Sequence, residues 1–502
     1  MFNLKYYKNL LIVALIALVT GCSPMLSDYK KESSNDAKNN FNITSKFYNS
    51  MISCDKPDIA KLTLFFTKMP KGGDLHHHYP GTIYAETFLD WVKKKNWFID
   101  ECTLKIVKHG KKRGNCKLLT VPQLLSDNLL YRKLLTLWSD KDFYNHYHNQ
   151  PPPDTNFFNT FGYFGPVSKK YMHLGLNIIK QRAIKENVSY IESMLSRVWV
   201  NSGDYFTVEE RSKFNGMLRN AKTQQEVNKI LYRITTILLK NKKFNDDIDK
   251  FLGNVKNAHK GIDDDNFFMR YQTYAVRVFE PIEVFTELLA GYQAVKRSPL
   301  FVGVNIVAPE NNRVALEDYT LHMRMFNYLL NKYPSVRRDL HAGELTLGMV
   351  RPKDLTFHIK EARDIAEAER IGHAVDLPYE QDSVKLLEDL KNNSVIEINL
   401  TSNEFILGVK GNSHPYLIYS SYGVPIVIST DDSGVSRNNL SNEYVLLASR
   451  YKPTYGKIKE YVYNSIKYSF MDTSDKIRIK NILDKKFLIF EAEMAKLYFK
   501  FK

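Results

Sequence analysis

Four short stretches of this sequence combine histidine with acidic side chains in a way that suits a divalent metal ion. They read D-L-H-H-H (74 to 78), L-H-A-G-E (340 to 344), R-I-G-H-A (370 to 374) and S-T-D-D (429 to 432). Neutral imidazoles and one carboxylate are typical zinc ligands, and three or four of them leave a position for water. A zinc-bound water has a pKa near neutrality and can attack an electron-poor carbon. The stretches therefore indicate a hydrolytic metal site.

Each stretch also has a structural interpretation when it is taken alone. His76 and His78 are two residues apart and share one face of a strand, while His77 faces the other way. An H-x-H of this kind is more often explained by packing than by metal binding. His373 alone could be a buried core histidine, and Asp431 with Asp432 could form an ordinary turn. The metal interpretation depends on all four stretches meeting in one place.

Eight apolar, β-branched runs could bring them together, because each run reads as a buried parallel strand followed by a polar loop. The predicted strands are 73–78, 188–194, 267–275, 301–307, 338–341, 370–374, 395–400 and 425–430. Amphipathic helical stretches such as 283–296 and 316–330 separate most of them. Alternation repeated eight times predicts an α/β fold, a closed (β/α)8 TIM barrel, whose active site lies at the carboxyl ends of the strands.

The remaining segments divide the chain further. Residues 61–502 are expected to form the barrel, with an inserted segment at 82–156 after the first strand and a helical insertion at 200–266. Residues 22–60 are predicted to be a polar tether and a helical N-terminal segment.

The first 21 residues have the composition of an export signal. Lys5 and Lys8 precede a short apolar run, and the V-T-G-C sequence that ends at Cys22 is similar to a bacterial lipobox. This predicts an exported protein that is lipid-anchored to the cell envelope through Cys22, with Ser23 favouring the outer membrane. An uncleaved anchor helix is the alternative, and export follows from both.

Composition adds two expectations. In an exported protein Cys102 and Cys116 are predicted to form a disulfide around a loop-like, Lys-rich segment, and Cys54 to be free. The net charge of +16 comes from 71 basic and 55 acidic residues. Lysines are spread along the whole chain and no nucleic-acid motif is present, so the charge indicates a solvated surface rather than a nucleic-acid partner.

The same four stretches, in the same order, resemble the catalytic signatures of adenosine deaminases. M-P-K-G-G (69 to 73), F-F-N-T-F-G-Y-F (157 to 164), I-E-I-N-L-T-S-N (396 to 403), H-P (414 to 415) and N-S-I-K-Y-S-F (464 to 470) also resemble that family. The opening string, the N-S-I-K-Y-S string and the Cys-containing insertion are most similar to its secreted branch, the adenosine-deaminase-related growth factors.

The resemblance implies one zinc ion per chain and conversion of adenosine, and of 2′-deoxyadenosine, to inosine and ammonia. The implied zinc ligands are His76, His78, His341 and Asp431. Glu344 is expected to protonate purine N1, and His373 to orient and deprotonate the water. Asp432, which is expected to bind N7, would contact the purine together with Ala308 and His78. The family also implies a homodimer through the N-terminal helices.

Five positions depart from the family pattern. Pro80 stands where an Asp commonly holds the sugar, Ala308 stands for a glycine, and Ser433 stands for a proline. Asn399 and Leu400 replace a Cys-Pro pair. Substrate choice is therefore open between adenosine and another aminopurine, such as adenine, AMP or a modified nucleoside. A non-catalytic binding or signalling protein on the same fold is the alternative from a different class.

Overall fold

Buried apolar segments supply the strands at the centre of the molecule, of which the computed structural model describes residues 34–109, 114–145 and 151–502. In chain order the strands are β1 (Gly72–His78), β2 (Phe98–Asp100), β3 (Ile106–Val107), β4 (Leu118–Leu119), β5 (Val188–Met194), β6 (Phe268–Val276), β7 (Phe301–Val307), β8 (Arg337–Ala342), β9 (Arg370–His373), β10 (Val395–Ile398) and β11 (Ile426–Ile428). Eight of them form one sheet in the order β1-β5-β6-β7-β8-β9-β10-β11, and every pair in it is parallel.

The sheet closes on itself through the backbone that follows β11. The N–H of Asp431 donates to the carbonyl of His76 (2.8 Å), and the N–H of His78 donates to the carbonyl of Asp431 (3.3 Å). The prediction of a (β/α)8 barrel is thereby confirmed, and each of the eight predicted strands matches one strand of the sheet. The last strand is shorter than predicted, because Asp431 has a φ of +58° and turns the chain toward the site.

Helices cover the outside of this barrel and fill the connections. They are α1 (Ser34–Ile52), α2 (Ile59–Lys68), α3 (Tyr79–Thr82), α4 (Ala85–Lys94), α5 (Val121–Ser126), α6 (Asn128–Leu137), α7 (Pro153–Ser168), α8 (Met172–Lys185), α9 (Val208–Asn220), α10 (Gln224–Lys240), α11 (Lys242–His259), α12 (Pro281–Arg297), α13 (Arg313–Glu317), α14 (Tyr319–Lys332), α15 (His358–Asp364), α16 (Ser383–Asn393), α17 (Leu400–Leu407), α18 (Tyr416–Tyr422), α19 (Leu440–Tyr451), α20 (Tyr455–Lys467) and α21 (Thr473–Phe501).

Three of these helices, α9 to α11, occupy the segment between β5 and β6. Local sequence fixes where two of them begin, since Thr207 with Glu210 and Thr223 with Glu226 form capping boxes. Each helix turns an apolar side toward the core and leaves a charged side in solvent. The charged composition of this segment is therefore compatible with a stably packed helical layer.

Helix α1 packs against the last helix of the chain, α21. Thr44 donates to the carbonyl of Glu491 (3.1 Å). Phe65 packs edge-on against Phe47, tilted against Tyr48 and edge-on against Phe490. Both ends of the described chain thus share one aromatic cluster within the hydrophobic core. The division of the chain between residues 60 and 61 stays a prediction.

The segment after β1 is more ordered than a loop. β2 pairs with β3 and with β4 in a small antiparallel sheet, and the carboxylate of Asp100 accepts the backbone N–H groups of Cys102 and Thr103. Cys102 and Cys116 are joined by a disulfide, as predicted, and Cys54 is a free, exposed thiol. The sequence analysis did not predict this small sheet, because strands of two or three residues give almost no periodic signal.

The predicted export signal (1–21) and Cys22 lie outside the described residues. Among the helices that are described, none combines the length and the apolar character needed to cross a bilayer.

Candidate metal centre and substrate cavity

A cavity of about 320 Å³ opens at the carboxyl ends of the barrel strands. One part of its wall is polar and consists of His78, His341, Glu344, His373, Asp431 and Asp432. The rest is mainly apolar and consists of Pro80, Phe157, Phe158, Phe161, Tyr274, Val276, Val307, Ala308 and Pro309. All four predicted stretches therefore contribute to one region, with His76 buried directly beneath it.

The four predicted zinc ligands, here named the ligand layer (His76, His78, His341 and Asp431), converge in this region. Nε2 of His78 lies 3.1 Å from Nε2 of His341 and 3.3 Å from Oδ1 of Asp431. Nε2 of His76 is 3.6 Å from that same Oδ1. Nε2 of His373 lies 3.9 Å from Oδ2 of Asp431, so a fifth candidate stands next to the four. The ligand atoms of His76, His341, His373 and Asp431 all lie within 4.8 Å of one another, and so do those of His78, Asp431 and Asp432. The two groups share Asp431.

One buried atom of the ligand layer is suited to a cation. Nε2 of His76 has no hydrogen-bond partner among the described residues, so its lone pair is free to bind a metal. A Cβ at Gly372 would stand 2.5 Å from the His76 ring, so this glycine allows the imidazole to occupy its position. Imidazole nitrogens with one carboxylate are the donor set of zinc, and the residues present fit that metal.

Charges in the ligand layer also suit a metal. Burial lowers the pKa of His78 to about 4 and that of His341 well below its ordinary value, so both offer neutral nitrogens. Burial would lower the pKa of His76 as well, but the carboxylates of Asp431 and Glu397 raise it well above the ordinary value. A cation at this point is therefore electrostatically favoured.

A second set of polar side chains orients the ligands. Nδ1 of His76 lies 2.7 Å from Oε2 of Glu397, and Nδ1 of His341 lies 2.9 Å from Oδ1 of Asn305. Ser402 donates to Oδ2 of Asp431 (2.6 Å). Because Glu397 and Asn305 offer acceptors at Nδ1, both rings carry their proton there and aim the Nε2 lone pair at the metal position.

Below this set lies a buried ionic cluster, the carboxylate floor (Arg370 with Glu192, Asp339 and Glu397). Nη2 of Arg370 is 2.5 Å from Glu192 and 2.8 Å from Asp339, and its Nε is 2.7 Å from Glu397. All four side chains are at most 1% exposed. One guanidinium thus holds three acidic groups under the ligand layer.

Sequence reasoning missed Glu397, Asn305, Ser402 and the floor. The available signal was weak: a charged residue inside an apolar run, as in V-I-E-I (395–398) and R-R-D-L-H (337–341). In a barrel, strand residues that face inward meet one another, so a buried charge in a strand requires a partner. Which partner it finds depends on the register between strands.

Glu344 is positioned by the loop that follows β8. Its backbone N–H and that of Gly343 donate to the two oxygens of Glu310 (2.8 and 3.1 Å). Gly343 has a φ of +74°, and a Cβ there would lie 2.3 Å from Asp376. Burial and the carboxylates of Asp431 and Glu310 raise the pKa of Glu344 well above its ordinary value. Glu344 therefore holds a proton that it can donate.

Asp432 faces the cavity beside the ligand layer. Burial and the neighbouring carboxylate of Asp431 raise its pKa well above the ordinary value, so Asp432 is also a protonated donor. A Cβ at Gly81 would stand 1.5 Å from Oδ1 of Asp432, so only glycine leaves room for this side chain. The glycine of the H-H-H-Y-P-G string thus has a direct role in the site.

Backbone strain also concentrates at this rim. Ala308, which lines the cavity after β7, has a φ of +87°, and His373 has a φ of +67°. Left-handed conformations are unfavourable for residues with a Cβ and cluster at functional sites. The φ of Ala308 is one that glycine adopts freely, which agrees with its assignment to a family glycine position.

His77 faces away from the metal position, as its spacing predicts. Its Nδ1 lies 3.0 Å from the hydroxyl of Ser193, and the side chain is buried. Burial lowers its pKa to about 3. Of the three consecutive histidines, the two outer ones serve the site and the middle one packs.

Part of this chain is similar in sequence to known deaminases. A family model described as adenosine deaminase matches residues 247–486. An adenosine deaminase from Clostridium botulinum is 25% identical over 197 residues, which are 39% of this chain and 55% of that protein. An adenine deaminase from Rhizobium leguminosarum bv. trifolii is 31% identical over 186 residues, 36% of this chain and 52% of that protein.

The chain therefore spans about half the length of the curated relatives that it matches. The matched family stretch runs from α11 into α21 and includes β6 to β11, with Glu344, His373 and Asp431. That part of the chain is similar in sequence to the adenosine deaminase family model. It does not include His76 and His78, which the fold brings to the same rim.

Solved structures with the same fold cover most of the chain. The N6-methyl-AMP deaminase from Arabidopsis thaliana superimposes with a TM-score of 0.54 at 16% identity, covering 84% of this chain and 98% of that structure. An amidohydrolase from Burkholderia ambifaria, solved with bound zinc, gives a TM-score of 0.51 at 15% identity, covering 86% and 94%. At such identities the likeness shows a common fold.

Proposed function

We propose that this protein is a zinc-dependent deaminase that hydrolyses the 6-amino group of adenosine, and of 2′-deoxyadenosine, to the corresponding inosine and ammonia. The observation that carries this proposal is the meeting of three imidazoles and a carboxylate with two further carboxyls, Glu344 and Asp432, at one cavity. Burial and nearby carboxylates raise the pKa of both carboxyls, which favours their protonated forms. Metal ligands and proton donors at the carboxyl end of a barrel are the elements of metal-assisted hydrolysis.

Zinc, when it is bound by the ligand layer, lowers the pKa of a coordinated water toward neutrality. Glu344 donates its proton to purine N1, which draws electrons from C6 and prepares that carbon for attack by the water oxygen. One hydrogen of the water leaves with the amine as ammonia, and the other replaces the proton of Glu344. The oxygen remains on C6.

Asp432 supplies recognition on the other side of the ring. Purine N7 is an acceptor, so its partner must be a donor, and the protonated carboxyl of Asp432 is one. The apolar wall contributed by Phe157, Phe158 and Phe161 suits a flat heterocycle that is excluded from water. Recognition of the base thus combines two protonated carboxyls with an aromatic surface.

The group attached to the purine decides which aminopurine is the substrate. An aminopurine other than adenosine is the second candidate. Pro80 and the phenylalanines offer no hydrogen bonds to a sugar, and the charged groups on the described cavity wall are acidic side chains and histidines. Such a wall does not attract a phosphate. This observation favours adenosine, deoxyadenosine or free adenine over AMP.

A turnover panel tests the proposal. Purified protein loaded with zinc is given adenosine, 2′-deoxyadenosine, adenine, AMP and N6-methyl-AMP. The change in ultraviolet absorbance is measured together with release of the amine, which is methylamine for N6-methyl-AMP and ammonia for the others. We expect turnover of a non-phosphorylated aminopurine that stops with a chelator and returns with added zinc. Preference for AMP would overturn the substrate assignment. No turnover of any member by zinc-loaded protein would favour the non-catalytic alternative.

We also propose that the protein is exported and tethered to the cell envelope through a lipid on Cys22, as the lipobox-like sequence implies. Mass spectrometry of the N-terminal peptide, compared between the natural chain and Cys22→Ser, tests this. The similarity to the secreted growth-factor branch and a homodimer through the N-terminal helices are proposals of the same kind. Sedimentation analysis of the purified protein tests the dimer.

A further inference from the structure

Two buried residues outside the proposed catalytic set, Asn403 and His414, form a hydrogen-bonded chain that ends on His373. Nε2 of His414 lies 3.1 Å from Oδ1 of Asn403, and Nδ2 of Asn403 lies 2.9 Å from Nδ1 of His373. At the far end, the backbone N–H of Tyr416 points at Nδ1 of His414 (3.1 Å). His373, Asn403 and His414 are each at most 3% exposed.

The donor and acceptor of every hydrogen bond in this series follow from the bond donated by the backbone N–H of Tyr416. A backbone N–H can only donate, so Nδ1 of His414 accepts and carries no proton. Burial, together with Arg450, lowers the pKa of His414 to about 4, so the ring is neutral and its hydrogen is on Nε2. That N–H donates to Asn403, which makes the atom facing it the amide oxygen.

The orientation of Asn403 then decides the state of His373. With its oxygen toward His414, the amide turns its NH2 group toward Nδ1 of His373 and donates to it. The amide nitrogen of Asn399 lies 3.5 Å from the same Nδ1 and faces it with the same polarity. A ring nitrogen that accepts a hydrogen bond holds no proton, so the single proton of His373 is on Nε2.

We propose that the chain from the Tyr416 backbone through His414 and Asn403 fixes His373 as the Nε2–H tautomer, so that His373 donates a hydrogen bond to the attacking water. Nε2 of His373 faces the site, 3.9 Å from Oδ2 of Asp431, and has no hydrogen-bond partner among the described residues. His414 and Asn403 are positioning residues. The water in this statement rests on the proposed function, whereas the tautomer does not.

This assignment differs from a proton-accepting His373, which the family resemblance implies. A neutral imidazole that takes a proton at Nε2 must start with its hydrogen on Nδ1. Here the NH2 groups of Asn403 (2.9 Å) and Asn399 (3.5 Å) are nearer to Nδ1 than Oε1 of Glu344 (3.6 Å). A hydrogen on Nδ1 would point at the amide hydrogen of Asn403, so His373 positions the water by donating to its oxygen.

Nitrogen NMR of the zinc-loaded protein tests the tautomer directly. Long-range proton–nitrogen correlations of histidine labelled with 15N distinguish Nε2–H from Nδ1–H, and comparison with His373→Gln identifies the His373 signals. We expect the Nε2–H pattern in the natural chain. Asn403→Asp replaces the donor with an acceptor, and we expect the His373 signals to move to a protonated Nδ1. Asn392→Asp, the same change on the exposed side of α16, is the matched control.

An Nδ1–H pattern in the natural chain, or an unchanged His373 spectrum in Asn403→Asp, would overturn the proposal. If Asn403→Asp does not fold, His414→Ala frees Asn403 to rotate, and we expect mixed tautomers of His373. An unchanged single tautomer in that variant also overturns it. Since the spectra are recorded without substrate, an inactive protein with the expected tautomer contradicts only the proposed function.

Turnover supplies the second measurement. We expect Asn403→Asp to lower kcat by about 10- to 100-fold with full zinc content, the range found when the partner of an active-site imidazole is removed. Equal loss of zinc and of kcat would assign Asn403 to metal binding, which contradicts the positioning role.

Discussion

The ligand layer and the carboxylate floor are neighbouring parts of one barrel interior, and they differ in how their polar atoms are used. In the ligand layer and beside it, Nε2 of His76, Nε2 of His373 and Oδ1 of Asp432 have no hydrogen-bond partner among the described residues. In the floor, Arg370 forms ion pairs with three carboxylates. The first arrangement is ready for a ligand, whereas in the second each acidic group already has a cationic partner within the protein.

Substitutions in the two layers are therefore expected to affect different properties of the protein. Loss of a residue from the upper layer removes binding or chemistry and leaves the packing below it intact. Loss of a residue from the floor leaves buried charges without a partner and therefore acts on folding. Four substitutions test that separation, and they follow in order of expected effect.

Asp431→Ala is expected to have the largest effect. It removes the carboxylate that both metal-facing histidines of β1 contact, and we expect zinc content to fall far below one per chain and turnover to disappear. Elemental mass spectrometry and the ammonia assay measure the two losses. His109→Ala, which removes an exposed histidine, should change neither. Full zinc occupancy in Asp431→Ala would mean that the ligand set is wrong.

Glu344→Gln should retain zinc and lose most turnover. The amide keeps the size of the side chain but has no acidic proton for purine N1, and general acid catalysis contributes about 10²- to 10⁴-fold. Comparison of kcat/KM with zinc content measures the effect, with Glu317→Gln, an exposed glutamate, as the control. A parallel loss of metal would place Glu344 in the ligand layer instead.

Arg370→Met should act mainly on stability. It leaves Glu192, Asp339 and Glu397 buried without their cation, and removal of one partner from a buried ion pair costs about 3–5 kcal/mol of unfolding free energy. Chemical denaturation measures this cost. Arg337→Met, on the neighbouring strand with a half-exposed side chain, should change stability by less than about 1 kcal/mol. Equal costs for the two variants would contradict the distinction between floor and surface.

Glu397→Gln should have the smallest effect of the four substitutions. Glu397 belongs to the floor and also orients His76, so this substitution changes the orientation of a zinc ligand without removing the ligand. We expect zinc affinity to fall about 10- to 100-fold, as for other partners of metal-bound histidines. Competition with a fluorescent chelator measures the affinity. Glu388→Gln, exposed on α16, controls for the loss of charge. Unchanged affinity would show that Glu397 supports the fold alone.

The ligand layer could be predicted from the sequence, whereas the carboxylate floor could not. The eight barrel strands and the histidine and aspartate stretches were readable, because each is a contiguous pattern of apolar residues ending in a polar group. The disulfide was predicted because Cys102 and Cys116 bracket a short, Lys-rich, loop-like segment of a chain expected to be exported. The floor was not predicted, because its four residues come from four strands, each with a single charge in an apolar run.

The amino-acid sequence alone indicates which residues could bind a metal, where the strands lie, and that His76 and His78 share a face while His77 does not. The contacts between distant groups required the folded barrel: Glu397 and Asn305 orient the histidines, the carboxyl of Asp432 lies against Gly81, and Asn403 turns its NH2 group toward His373. These contacts escape the sequence because strand register and barrel closure, rather than local periodicity, set the distances between residues far apart in the chain.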